Sequence, residues 1–373
     1  MTNTAKPGAS VWLIFIISAV LLSLMTVFVQ VREFCRGEFL RQAVFAPDNG
    51  RPTPDVPVDK LRGDEGMGRE SLGLRFLDDG LQTRRHTRVI QGKAGSPWQY
   101  RVLPEYMVEA LIRLVGKLGI GHPNALAFIA FRLFQNFLLF VLAAAYYRRL
   151  GLSTYVTLIG LSLLAWGMTQ SLYRSDLQFN TYFDVVFYLA AGLAIASGRV
   201  WWIVPITLLA ALNRETSGLI PVMTLAAGLS FGADRKPHVA ATPAIVAAVS
   251  LALFIAVFLA LRASYGWQPT VLAYGHRFGI DLFTYNVGRY VTWINLFATL
   301  GLLPIMAVAS IRSWPPVLRR FFWTLVPVWV LVHLIAAVMA ETRLFLVPHA
   351  LVIIPGALFG ISHVISSRAD TTQ

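Results

Sequence analysis

The chain reads as an all-α polytopic membrane protein of about ten transmembrane helices, with a long first extracytoplasmic loop that contains an amphipathic interfacial helix. Composition is the first sign. Of the 373 residues 56% are hydrophobic and 14% charged, with a mean hydropathy of +0.61, outside the range of soluble globular chains. The second sign is a set of ten strongly apolar runs at or near spanning length, roughly 20 residues, because hydrocarbon offers no partner to backbone N–H and C=O groups. Third, if those runs cross alternately, nearly every out-of-place polar residue reaches one side: Asp78, Asp79, Arg101, Glu105, Asp176, Asp184, Arg214, Glu215, Glu341 and Arg343. Such convergence points to one site.

The expected spans are 10–31, 123–147, 153–173, 181–197, 200–213, 216–232, 241–262, 289–311, 321–340 and 344–365. They form a single membrane domain, 1–373, with the loop at 32–122, the remaining spans at 123–365 and a tail at 366–373. The first run is followed by no small-x-small cleavage site, so it reads as an uncleaved signal anchor. The fifth and sixth are short and separated only by Asn213-Arg214-Glu215. They are equally a broken helix or a tight hairpin, which leaves a count of nine to eleven.

Orientation follows from basic residues in the short loops. With the N-terminus inside, Lys6, Arg148, Arg149, Arg199, Arg235, Lys236, Arg312, Arg319, Arg320 and Arg368 are cytoplasmic. Both termini then lie inside, and the candidate site faces the periplasm of a bacterial inner membrane. The net charge of +13 is accounted for by this bias and by a basic loop facing anionic headgroups, so nucleic acid is not an expected partner. The single cysteine, Cys35, excludes an internal disulfide.

Residues 46–70 are rich in Pro, Gly and charge and read as an irregular surface excursion. Next, FLDDGLQTRRHTR sets Asp78 and Asp79 beside a glycine, ahead of Arg84, Arg85, His86 and Arg88. A carboxylate pair there would activate an acceptor or hold a divalent cation, Mg or Mn; an Asp-Asp-Gly turn and helix cap is the structural alternative. Beyond Pro104, Met107, Val108, Leu111, Ile112, Val115 and Leu118 recur at helical spacing, with Glu109, Arg113 and Lys117 opposite, giving an interfacial helix over 104–119.

An ionisable group at membrane depth costs about 2.5–3.5 kcal/mol on the insertion scale, so each should be paired, hydrated or functional. Arg132, Gln135 and Asn136 share one face of the second span and read as bundle-facing hydrogen bonders. Asp176 and Asp184 flank the start of the fourth span; either is a candidate base, with Arg174 offering Asp176 a plain ion pair. Arg214 and Glu215 occupy the join between the two short spans, and Glu341 and Arg343 the entry to the last. The planar guanidinium suits phosphate, which makes Arg101, Arg214 and Arg343 phosphate candidates. No phosphate-binding glycine loop, HExxH, GxSxG or paired CxxC occurs, and the seven histidines show no ligand spacing.

A long first loop with an acidic pair and amphipathic helix, the stretch PWQYRVLPE, the NRET join and the ETR segment together resemble the GT-C superfamily of integral membrane glycosyltransferases. The resemblance covers residues 10–365 as an architecture. It implies a polyprenyl-phosphate sugar donor, a glycan or lipid acceptor, chemistry at the outer membrane face and a first-loop carboxylate as base, here Asp78 or Asp79. Two departures stand out. The acidic pair lies late in the loop, so Glu33 or Glu38 is an alternative match, and the sequence ends just after the tenth run, which would leave acceptor recognition to the loops or to an envelope-biosynthesis protein partner. Competing readings are a flippase or transporter of an anionic lipid or lipid-linked sugar, whose buried charges would line a pathway, and a noncatalytic subunit of a polysaccharide assembly complex. The short basic cytoplasmic loops and the absence of a repeat between the halves speak against transport.

Overall fold

The computed structural model describes residues 8–44, 77–78, 80–172, 178–231, 237–272 and 275–371; Asp79, Asp176 and the 46–70 excursion lie outside them. The described chain is a helical bundle. Helix α1 spans Ala9–Val44, α2 Leu81–Ile90, α3 Val102–Lys117, α4 Pro123–Leu150, α5 Thr154–Gln170, α6 Phe179–Ala196, α7 Ile203–Ala211 and α8 Leu219–Ala227. A two-stranded antiparallel hairpin, β1 Leu229–Phe231 and β2 Pro237–Val239, follows. Then come α9 Ala241–Tyr265, α10 Ile280–Gly288, α11 Tyr290–Leu300, α12 Leu303–Ala309 and α13 Pro316–Ala336. The last span, Thr342–His363, is α14.

Among the described residues six helices are long and apolar enough to cross a membrane (α1, α4, α6, α9, α13 and α14), or seven if the bent pair α11–α12 is one span. About ten spans are expected from the sequence, the fifth and sixth as a broken helix or a hairpin. Each of the ten apolar runs is helical, but four do not form straight helices of spanning length. The pair α11–α12 bends by 66°, because Gly301 adopts a φ of 56° and Pro304 sits in the first turn of α12. Helix α5 has 17 residues. The apolar stretch Val200–Ala211 that contains α7 rises only about 18 Å at 1.5 Å per residue, and α8 about 14 Å, against about 30 Å of hydrocarbon. These two arms form a hairpin whose tip, Asn213–Thr216, is sunk in protein. The sixth run stops at Ala227 and passes into β1, a small strand pair that helical periodicity did not anticipate.

Burial sorts the helices into centre and rim. The most apolar windows of α6 and α14 are 83% buried, whereas those of α1 and α13 are 28% buried and that of α9 is 17% buried. The rim helices show Leu13, Leu21, Phe28, Leu259 and Leu331 outward, as lipid-facing surfaces require. Both central helices pack closely on their neighbours through small residues, the usual device where no hydrophobic force drives helices together. A Cβ on Gly192 of α6 would meet Leu351 Cδ1 at 2.6 Å, and one on Gly356 of α14 would meet the Trp314 ring at 2.3 Å.

Two prolines fix the shape of α14. Pro348 and Pro355 have no N–H, so the carbonyls of Leu344 and Leu351, four residues before each, lose their helical donors. Neighbouring helices replace them: Trp329 Nε1 of α13 donates to Leu344 O at 2.8 Å, and the Tyr146 hydroxyl of α4 donates to Leu351 O at 3.0 Å. Tyr147 likewise donates to Ala350 O at 2.8 Å, inside the π-helical turn His349–Ile353. Tyr146→Phe should therefore strand a buried carbonyl and lower stability by about 1–3 kcal/mol. Tyr155→Phe, at a side chain 81% exposed, should change little; thermal unfolding of both variants in detergent checks this.

Candidate functional site

The hairpin tip carries the site. Its irregular backbone is satisfied by protein: Ser217 Oγ donates to Arg214 O at 2.7 Å and the Tyr188 hydroxyl donates to Thr216 O, while the Asn213 side chain ties the tip to α6 by donating Nδ2 to Asn180 O at 3.0 Å. Non-helical backbone at this depth is tolerated only with such partners. Arg214 leaves the tip in an extended conformation and reaches Asp184 of α6, Nη1 to Oδ2 at 3.4 Å. Thr216 Oγ1 donates to the same oxygen at 3.0 Å. Both charges are buried, with Asp184 at 0% and Arg214 at 6% exposure.

Three further segments close around this pair. Arg101, the residue that begins α3, donates Nε and Nη2 to Glu215 Oε2 at 3.3 and 3.2 Å. Its guanidinium lies 5.0 Å from the Trp98 ring centroid, and that of Arg85 lies 4.5 Å from the same ring, so one indole carries two cations. At the entry to α14, Arg343 Nη2 donates to Glu341 Oε2 at 2.7 Å. Arg101, Asp184, Glu215 and Arg343 all act electrostatically on Arg214. Leu103 N donates to Leu212 O at 3.0 Å, which ties α3 to the hairpin.

The structure thus brings together Arg101, Asp184, Arg214, Glu215 and Arg343, with Glu341 bound to the last. It places two others apart from them. Asp78 accepts from Ala125 N at 3.0 Å and pairs with His122 Nδ1, so its carboxylate caps the N-terminus of α4, the structural alternative weighed for this aspartate. Glu105 belongs to a separate cluster, described below. Glu33 pairs with Arg32 at 3.0 Å near the end of the first span. Asp79 and Asp176 lie outside the described residues.

Several participants were not singled out from the sequence. Thr216 is a neutral residue in a polar tetrapeptide, and Trp98 reads equally well as an interfacial anchor. His86 is the larger omission. It shares the buried face of α2 with Gln82 and Val89, and its ring nitrogens face Glu105 Oε2 at 2.7 Å and Glu109 Oε2 at 3.0 Å. Glu109 also pairs with Arg113 at 2.7 Å, so it turns inward rather than lying on a solvated face as expected. The four-residue spacing of Glu105 and Glu109 was the available signal, since it sets both on one side of a helix.

No family model, no curated protein and no solved structure matches this chain. Among the described residues, no group of three or more His, Cys, Asp or Glu side chains converges as a metal site. At the cluster itself each carboxylate is paired with an arginine through one oxygen. The architecture is that of a multi-pass helical membrane protein.

The His86 cluster ties α2 to α3 and titrates. Burial lowers the His86 pKa, but the two carboxylates outweigh it and hold the imidazole above its ordinary 6.5. Burial raises that of Glu109, yet Arg113 and His86 hold it below its ordinary 4.5. The histidine's contribution to stability is complete below about pH 6.5 and is lost as pH rises through its elevated folded value; that of Glu109 is complete above about pH 4.5 and is lost as pH falls through its depressed folded value. Amide protection factors in α2 and α3, corrected for the intrinsic pH dependence of exchange, should therefore be highest between those limits and fall on either side, and His86→Gln should flatten the alkaline limb.

Proposed function

We propose that the protein is a membrane glycosyltransferase that moves a sugar from a polyprenyl-phosphate donor to an envelope glycan or lipid acceptor at the extracytoplasmic face of a bacterial inner membrane, with both termini cytoplasmic. One observation carries the reading: Arg214, within electrostatic reach of Arg101 and Arg343 from two other segments, pairs with the buried carboxylate of Asp184 at one end of the bundle. Arginine is the side chain suited to a departing phosphate. The basic residues of the short loops favour the opposite end as cytoplasmic, which puts this cluster outside.

In the proposed reaction an acceptor hydroxyl attacks the anomeric carbon. The new glycosidic C–O bond forms as the C–O bond to the lipid phosphate breaks, with inversion, and the hydroxyl proton passes to a carboxylate. The leaving phosphate takes the bond's electron pair, and arginines held in a partly dry groove stabilise that charge. Proton acceptance contributes about 10²–10⁴-fold. By resemblance, the base is Asp79 of the first loop, beside an Asp78 that caps α4; Asp184 is the carboxylate adjacent to the arginines. Glu105 would act at one remove by holding His86 and α3, and hence Arg101, in place.

A second reading rests on the α7–α8 hairpin. Two half-length helices meeting at depth are a feature of transporters, and the same cluster would then be a waypoint for an anionic lipid or lipid-linked sugar.

The deciding experiment supplies polyprenyl-phosphate sugars to the protein in nanodiscs and follows sugar release by mass spectrometry, with and without a chelator. Release that falls at least about 100-fold in Asp79→Asn, with donor binding retained, supports transfer. Arg214→Gln should weaken both binding and release. Donor movement between leaflets without release would replace the enzyme with the transporter.

A further inference from the structure

The end of the bundle opposite the Arg214 cluster is strongly cationic. Its described loops and helix ends hold Arg148, Arg149, Arg199, Arg312, Arg319 and Arg320. At that end α4, α6 and α7 enclose a cavity of about 500 Å³. It is lined by the apolar Leu142, Leu193 and Ile206 together with Arg149, Arg199 and Trp202. Arg149 is anchored there by donation of its Nε–H to Ala196 O at 2.9 Å. Neither Arg149 nor Arg199 has a carboxylate partner among the described residues.

Two unneutralised guanidiniums above an apolar trough match an amphiphile with an anionic head. Trp202 is 62% exposed and Trp201 59%, and indoles so placed sit at headgroup level. A wholly soluble anion would leave the Leu142, Leu193 and Ile206 walls unfilled. We propose that this cavity is a binding site for an anionic phospholipid of the surrounding leaflet, its phosphate held by Arg149 and Arg199 and the upper part of an acyl chain lying in the trough. The site is independent of any activity at the opposite end.

The test is thermal unfolding of the full chain in a neutral detergent, with added phosphatidylglycerol, phosphatidylcholine of the same chains, or glycerol 3-phosphate. Phosphatidylglycerol should raise the midpoint by a few degrees through ligand linkage, while the other two leave it in place. The Arg149→Ala/Arg199→Ala variant should lose the shift. Should that variant not fold, Arg199→Ala alone serves, because the Arg199 side chain makes no hydrogen bond or ion pair among the described residues. Leu193→Trp, which fills the trough and keeps both arginines, should lose it too. An equal shift with phosphatidylcholine, or one that survives removal of the arginines or filling of the trough, overturns the proposal. A shift reproduced by glycerol 3-phosphate overturns the assignment to a lipid.

Discussion

A guanidinium held inside a membrane bundle must be matched by charge and hydrogen bonds, since removing one partner of a buried pair costs about 3–5 kcal/mol. Arg214, 6% exposed at the tip of a re-entrant hairpin, imposes this on its whole neighbourhood. It needs Asp184 within a turn or two of the start of α6, which fixes α6 against the tip. The tip in turn exposes backbone carbonyls that Ser217 and Tyr188 satisfy, and Asn213 bonds back to the Asn180 carbonyl of α6. Glu215, the next residue, holds Arg101, and so the first helical residues of α3 are tied to the same point. Position in the loop, in α3 and in α6 thus follows from where one cation can be neutralised.

The same accounting governs α14. A helix with two prolines is a poor choice for the centre of a bundle unless neighbours return the donors that proline removes. Trp329 and Tyr146 do so from α13 and α4, each paired with a carbonyl that a proline leaves free, and Tyr147 adds a donor to Ala350 O in the π-helical turn. These large polar-tipped side chains are buried with their tips partnered. The chain begins α14 with a tight turn at Thr342–Phe345, which sets Arg343 beside Glu341.

Much of this was legible in the sequence. Apolar runs gave the helical elements, and alternation gave the convergence of Arg101, Asp184, Arg214, Glu215 and Arg343 on one end. Length was harder to read, because hydropathy registers apolar residues whether or not the helix is straight: Gly301 and Pro304 break one run, and the NRET join turns two others into half-length arms. Pairings across distant segments were not legible at all. Nothing near Asp78 in the chain announces that it caps α4 or meets His122, 44 residues on. His86 lay in a cluster of arginines that reads as solvated, and only the fold of α2 onto α3 turns its ring toward Glu105 and Glu109.

The charges at the site end nearly cancel, three arginines against Asp184, Glu215 and Glu341, so an incoming lipid phosphate would have to exchange with a carboxylate already present. Burial decides which pair yields. The side chains of Arg214 and Asp184 are 7% and 0% exposed, and separating them inside the protein would leave a charge with no water to receive it. Glu215 and Glu341 are 30% and 22% exposed, so each can swing toward solvent and pass its arginine to the phosphate at modest cost, since part-exposed pairs contribute about 0–1 kcal/mol. On the proposed reading Arg214–Asp184 is then the fixed element of the clamp. Arg101 and Arg343 are its movable jaws, held in place by carboxylates until a stronger anion displaces them.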